Sequence, residues 1–465
     1  MQIILAGYNI DLDALKDKKS VLTPETFSAA YARISRSSKS IPELRATARK
    51  EIAKARDQNR RIIYEMGHHS IAEHAVFNFD IIGISRLAVE HLESHRLMSY
   101  TEASQRYIKW ASNYVIPDEI KKTVLLQPFL KTIEIQNRAY QILTSKLKSL
   151  DTKFAKSIED ARYVTSLAMT TQLGTTMNAR NLELLIRRCA SSDISEVKAL
   201  GKKLYNLAIK VAPSIILFYE PTEYDKKTYS ELKKLPLTEA TTKNASNSVR
   251  LVDYTLNGDE KIIAGIIQRV SNLSYTEAKR KVQKMSQARK LDYIKKAFQY
   301  AKLYDTTLRE FEHSYLTFEL ILSASCFAQL KRHRIATITA QSYNPNLGVT
   351  IPASIKEKNQ LELFNKVIEA TEKTYNKIYK DLPHIAPYIL TQAHRRRVLL
   401  TVNVREMYHI ARLRMDATAQ WDIKELTTSM VEQAQKVMPL SLLFCGAKDQ
   451  YENISPQRHK DTEEK

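Results

Sequence analysis

Cysteine, glycine and tryptophan are scarce in this chain of 465 residues, which holds three, nine and two of them respectively. Cys189, Cys326 and Cys445 are an odd number without metal-type spacing, so they imply neither a disulfide framework nor a zinc site, and no metal is expected. With so few glycines there is no GxGxxG or Walker-type segment, which argues against a dinucleotide-binding Rossmann fold or a P-loop. Any phosphate must then be held by side chains and helix ends. No apolar run approaches the ~20 residues of a membrane helix. The N-terminal MQIILAGYNIDLD also lacks the basic lead-in and cleavage site of a signal peptide. The expectation is a soluble cytoplasmic protein with no membrane partner. Acidic residues are short as well, 51 against 72 Lys and Arg, for a formal net charge of +21. Such an excess suits nucleic acid through counterion release, but runs such as KSLDTKFAKS and ARKLDYIKKAFQYAK scatter lysine over polar helix faces, as a solvated surface does. A small anionic substrate drawn into an arginine-lined cleft fits the charge better.

What the chain does contain is a pattern written twice. GHHSIAEHAVFNFDI leads through RLAVEHLE to SHR, and REFEHSYLTFELIL leads through SASCFAQLK to RHR. Glu73-His74 thus corresponds to Glu312-His313, and His95-Arg96 to His333-Arg334. Further on, TTMNARNLELLIRRC matches LTVNVREMYHIARLR, and VAPSIILF matches VMPLSLLF. Landmarks recurring in one order point to a tandem duplication.

With 43% hydrophobic residues the chain has ample material for two cores. The boundaries read as a first half over 1–222, a linker over 223–248 and a second half over 249–465, because PTEYDKKTYSELKKLPLTEATTKNASNS is rich in Pro, Lys, Thr, Ser and Asn and poor in apolar periodicity. AVFNFDI and YLTFELIL alternate as strands with one buried face do, whereas PELRATARKEIAKARDQNRRIIYEM and IKELTTSMVEQAQKVM read as helices. The fold expected is α+β, two homologous domains, each a small antiparallel sheet with abundant helices.

These segments resemble the flavin-dependent thymidylate synthases, whose signature is Arg-His-Arg, two residues, Ser, one residue, Asn-Glu, one residue, Ser, one residue, Arg-Tyr. The first half offers Ser94-His95-Arg96, Ser99, Thr101-Glu102, Ser104 and Arg106-Tyr107, departing at Ser94 and Thr101. The second keeps Arg332-His333-Arg334 but has Thr337, Thr339, Ala340, Asn344 and Pro345 in place of most of the rest, leaving Ser342. The resemblance implies an FAD enzyme that transfers a methylene group from methylenetetrahydrofolate to C5 of dUMP, with NADPH as reductant. Family members are homotetramers with sites at subunit interfaces, so a duplicated chain is expected as a homodimer forming a pseudo-tetramer. The alternative is a flavin-dependent paralogue acting on another pyrimidine nucleotide or on a base in nucleic acid.

Carried over by position, the resemblance assigns nucleotide binding to Glu102, Ala103, Ser104, Gln105, Arg106 and Arg162 of the first half, where the second has Ala340 and Pro387. Gln329, Arg332 and the pyrimidine-activating Arg414 fall in the second half, where the first has His91, Ser94 and Cys189. Flavin contacts are implied for Arg332, His333, Arg334, Asn403, Arg405 and His409, facing His68, Ser70, Glu73 and Glu102; Leu184 takes the place of His409 in the first half. Losses that complement one another imply one composite site built from both halves.

Several of these residues also have plain structural readings. Asn178 and Asn403 suit helix N-caps, with Glu406 completing a capping box. Arg405 and His409 share a helix face, as a surface pair would. Glu73-His74 and Glu312-His313 read as buried, hydrogen-bonded pairs, and Tyr107, Trp110 and Trp421 as core aromatics. Ser104 has no triad partner in YTEASQRY and reads as a ligand contact rather than a nucleophile.

Overall fold

The computed structural model describes residues 1–108, 112–148, 154–235 and 248–450. Trp110 and part of the expected linker lie outside them. The chain forms two compact units, Met1–Ala240 with Pro352–Gln392, and Thr241–Ile351 with Ala393–Lys465.

The first unit holds β1 (Gln2–Tyr8), β2 (Val76–Ser85), β3 (Ser99–Glu102) and β4 (Thr170–Asn178), hydrogen-bonded in the order β1-β2-β4-β3. The second holds β5 (Ser248–Tyr254), β6 (Tyr315–Ser323), β7 (Thr337–Ala340) and β8 (Arg395–Asn403) in the order β5-β6-β8-β7. All pairings are antiparallel. The expected α+β class with a small antiparallel sheet in each half is what the chain adopts.

Alternation sets the central strands. Phe77, Phe79 and Ile81 of β2 are buried while Asn78 and Asp80 between them face outward, and Leu316, Phe318 and Leu320 do the same work in β6. Each such side chain contributes roughly 1.5–3 kcal/mol on burial. The register repeats as well: Val76 pairs with Asn178 and Ser99 with Thr176 in one sheet, Tyr315 with Asn403 and Thr337 with Thr401 in the other. One difference is local. β2 has 10 residues against 9 in β6, and its register shifts between Ile82 and Ile84, where Gly83 adopts φ +72°. The extra residue is a bulge, and its left-handed backbone favours glycine.

Helices start at corresponding caps. Ser85 accepts from Ala88 N at 3.0 Å before the helix Arg86–Glu93, and Ser323 from Cys326 N at 2.9 Å before Ala324–Leu330. Asn178 accepts from Asn181 N at 2.9 Å and Asn403 from Glu406 N at 2.8 Å, opening Ala179–Ala190 and Val404–Arg414. Both asparagines therefore do cap helices, as their sequence context suggests.

A long helix, Leu126–Leu147, packs in the first unit against Leu361–Asp381. Their contact contains a polar seam: Gln136 Nε2 donates to Thr371 Oγ1 and to Ile389 O, both at 2.9 Å, and the hydroxyls of Thr132 and Thr374 lie 2.7 Å apart. In the second unit Phe298 stacks on Tyr408 and meets Phe311 edge-on within the apolar core. Among the described residues no helix is long and apolar enough to cross a membrane.

Within the expected linker, Glu223–Leu232 forms a helix with a capping box from Thr222 and Asp225; it buries no residue, so it carries no apolar stripe to betray it. Two local expectations are corrected. His313 and the Glu73-His74 pair are exposed rather than buried. Tyr107 is 62% exposed and Trp421 only partly buried, so neither is a core aromatic.

Candidate active site

In the first unit β3 runs along β4 and leaves it at Ala103, whose N–H still donates to Gln172 O at 2.9 Å. The chain then turns through Ser104, Gln105 and Arg106, with Arg106 N donating to Ser104 Oγ at 3.3 Å and Gln105 Nε2 3.1 Å from Met169 Sδ. Glu102 is held by Arg86 from the start of the preceding helix, Arg86–Glu93, an ion pair with both side chains buried. Arg106 lies 2.8 Å from Glu159, and burial raises the Glu159 carboxyl against the pull of Arg162 and Arg106. Arg162 sits in the short turn Arg162–Val164, buried, with Nε and Nη2 lacking any hydrogen-bond partner among the described residues. Burial pulls its guanidinium below the ordinary arginine value. A desolvated cation with unpaired N–H groups is costly by itself. An anion with several acceptor oxygens would satisfy it.

Also in this unit, a cleft of ≈ 460 Å³ is lined by Tyr31, Arg33, Arg36, Gln58, His68 and Ser70. His68 and Ser70, expected at the flavin, thus share a wall with two arginines, a donor set suited to a diphosphate. Glu73 does not line it; its carboxylate takes Arg180 Nη1 at 2.5 Å.

In the second unit, exposed Arg332 and Arg334 flank a buried His333, 2% exposed, in the turn after the helix Ala324–Leu330. Arg414, at the end of Val404–Arg414, donates from Nε to His333 Nε2 at 2.9 Å. His333 Nδ1 faces Glu406 Oε1 at 3.4 Å, and His409 meets the same ring edge-on with centroids 5.6 Å apart. Burial, then Arg414 and Arg332, hold His333 down to about 3. Burial raises Glu406 and lowers His409. Gln329 is buried and donates to Gln420 at 3.2 Å. Asn403 spends its side chain on the cap, and Arg405 is held by Thr307 O at 2.7 Å and Glu312 at 2.9 Å.

Ligand atoms of His333, Glu406 and His409 all lie within 4.8 Å of one another, close enough for a cation by distance alone. The tautomer opposes it. With Arg414 donating into Nε2, the ring proton must be on Nδ1, the atom that would have to ligate.

Sequence reading missed Arg86, Arg33, Arg36 and the placement of Glu406. Arg33 and Arg36 leave a trace in YARISRSS, an arginine pair ahead of the basic helix. Arg86 leaves one in the comparison of halves: the shared register sets Arg86 opposite Ala324 and Glu102 opposite Ala340, so both partners of the ion pair are replaced together.

A repeated α+β unit with buried arginines in one copy and a histidine-held arginine in the other finds its counterpart among known families. The family model described as "Thymidylate synthase complementing protein" (Thy1) matches residues 19–214 and again 250–440, and the chain belongs to this family. Over most of its length it is similar to a UPF0159 protein of Chlamydia pneumoniae, 24% identical over 429 residues, covering 85% of this chain and 81% of that protein. It is likewise similar to UPF0159 protein of Thermoplasma acidophilum, 23% identical, covering 88% of this chain and 93% of the other. A flavin-dependent thymidylate synthase of Clostridium tetani is 35% identical over 172 residues, 35% of this chain and 69% of its own length. Among solved structures, thymidylate synthase X of Helicobacter pylori with FAD and dUMP is 19% identical, covering 49% of this chain and 100% of the other at a TM-score of 0.35.

Proposed function

We propose that the protein is a flavin-dependent thymidylate synthase forming dTMP from dUMP, with methylenetetrahydrofolate and NADPH as co-substrates and one composite site per chain. The observation that carries this reading is the shared register, which sets Arg414 at the position of Cys189 and Glu102 at that of Ala340. Each half retains what the other has replaced. Arg162 and Arg106 would take the nucleotide phosphate, with Ser104, Gln105 and the Ala103 backbone lining the nucleotide beside Glu102. Gln329 and Arg332 would meet the pyrimidine, and Arg414 would stabilise negative charge on the uracil ring. FAD, when bound, supplies the reducing equivalents and carries the one-carbon unit. The donors of the Arg33–Ser70 cleft suit its diphosphate, and Glu73, Arg332, His333, Arg334, Asn403, Arg405 and His409 would complete its binding. A homodimer would give the family's tetramer in pseudo-symmetric form.

Protein supplied with FAD, NADPH, methylenetetrahydrofolate and dUMP is expected to form dTMP and to release tritium from 5-tritiated dUMP. Flavin binding without either product, together with methylation of another pyrimidine nucleotide or an RNA base, would overturn the substrate. Arg414→Ala is expected to lower turnover by ~2–4 kcal/mol of transition-state stabilisation. Cys189→Ala should leave it nearly unchanged, because burial pushes that thiol up to about 12 and keeps it inert.

A further inference from the structure

We propose that Glu406 is a positioning residue: its carboxylate holds His333 in the Nδ1–H tautomer, and His333 in turn sets the plane of the Arg414 guanidinium. The inference rests on the reading of Arg414 as the group that acts on the pyrimidine.

A neutral imidazole has one N–H and one lone pair. Arg414 Nε–H, 2.9 Å from Nε2, requires the lone pair there, so the proton is on Nδ1. The atom facing Nδ1 is Glu406 Oε1, at 3.4 Å. Neither atom has a hydrogen-bond partner among the described residues, and His333 and Glu406 are 2% and 7% exposed. The Glu406 carboxylate also feels His409 and Arg405, and a small tightening of the Nδ1–Oε1 approach when ligand binds would make this contact a hydrogen bond. Helix geometry makes the bridge necessary. Glu406 stands in the first turn of Val404–Arg414 and Arg414 at its end, too far apart on one helix to touch, whereas His333 enters from the turn after Ala324–Leu330 and reaches both. Fixing Nε removes rotation of the guanidinium about its own stem.

The first half supplies the control. There the corresponding residues are His95, Asn181 and Cys189. Asn181 Nδ2 turns back to Asn178 at 2.8 Å, His95 Nδ1 lies 3.3 Å from Leu92 O, and Nε2 has no hydrogen-bond partner among the described residues. Where the arginine is absent, so is the carboxylate that would steer it. The buried His333 is held neutral, which keeps its lone pair open to Arg414 across the neutral range.

The test uses the full chain with bound flavin. In protein carrying ring-¹⁵N histidine, the His333 signals, identified by their absence in His333→Gln, are expected to show a protonated Nδ1 and a bare Nε2 unchanged between about pH 5 and about pH 8. A proton on Nε2, or titration near the ordinary histidine value, would overturn the proposal. Glu406→Ala should lower kcat roughly 10-fold or more with KM for dUMP and flavin content nearly unchanged, as loss of an orienting partner does. Glu406→Gln, whose amide oxygen still accepts from Nδ1–H, should recover most of that loss. Equal damage in both variants, or none in Glu406→Ala while Arg414→Ala is inactive, would sink the positioning role and leave the thymidylate reading standing. Full turnover by Arg414→Ala would instead sink that reading, and the ring-nitrogen spectrum then judges the three-residue contact alone.

Discussion

At the scale of single residues, charge is placed where solvent cannot relieve it. Arg86 and Glu102 are 8% and 1% exposed in their side chains, so removing one takes a close charge partner from the other where solvent cannot replace it. Arg86→Ala is expected to destabilise the protein by about 3–5 kcal/mol. The double variant Arg86→Ala/Glu102→Ala copies Ala324 and Ala340 of the second half and should recover much of the loss in denaturant unfolding, at the expense of dUMP binding. The histidines make a second case. Burial holds His95 down to about 4 and His333 to about 3, from an ordinary value of 6.5. A base whose folded value is depressed favours the folded state fully above its unfolded value, so this contribution is complete above 6.5 and lost as pH falls toward 4 and 3. Melting temperature should therefore fall between about pH 7 and about pH 4. The fall should be smaller in a His95→Gln/His333→Gln variant.

At the scale of elements, caps and strands carried most of what the sequence disclosed. AVFNFDI and YLTFELIL announce β2 and β6 because alternation survives wherever one face is buried, and Asn178 and Asn403 announce helix starts because the cap is a local hydrogen bond. Asn178→Ala and Asn403→Ala should each cost ~1 kcal/mol in unfolding experiments. Only the second should also weaken flavin binding. Other features were hidden for physical reasons. Glu223–Leu232 buries nothing, so no apolar period marks it. The Arg86–Glu102 pair joins a helix start to a strand end, a proximity that only the folded sheet creates. Glu406 was legible as a cap neighbour, but its approach to His333 depends on how Val404–Arg414 lies against the turn at 331–335.

For the whole molecule, the two sheets with one topology and one register make the halves comparable position by position, and that comparison turns scattered substitutions into a count of sites. One site per chain should hold Glu102, Ser104, Arg106 and Arg162 with Gln329, Arg332 and Arg414. Its symmetry mate would have Ala340, Asn344 and Pro387 with His91, Ser94 and Cys189, and would lack charge-assisted contacts worth roughly 1.5–3 kcal/mol each. Titration by calorimetry and absorbance is expected to give one FAD and one dUMP per polypeptide. Two of either would refute the complementary-halves model even in an active enzyme.

The helix Leu126–Leu147 also imposes a timetable on synthesis. Gln136 and Thr132 are buried in the finished unit, and their partners Thr371, Thr374 and Ile389 leave the ribosome only after more than half of the second half has been translated. Until then that face of the helix waits in water with Phe129, Ile133 and Tyr140 beside it. A nascent chain stalled before Leu361 would carry a formed first sheet and an open hydrophobic flank, an invitation to chaperones that closes only when the late helix arrives.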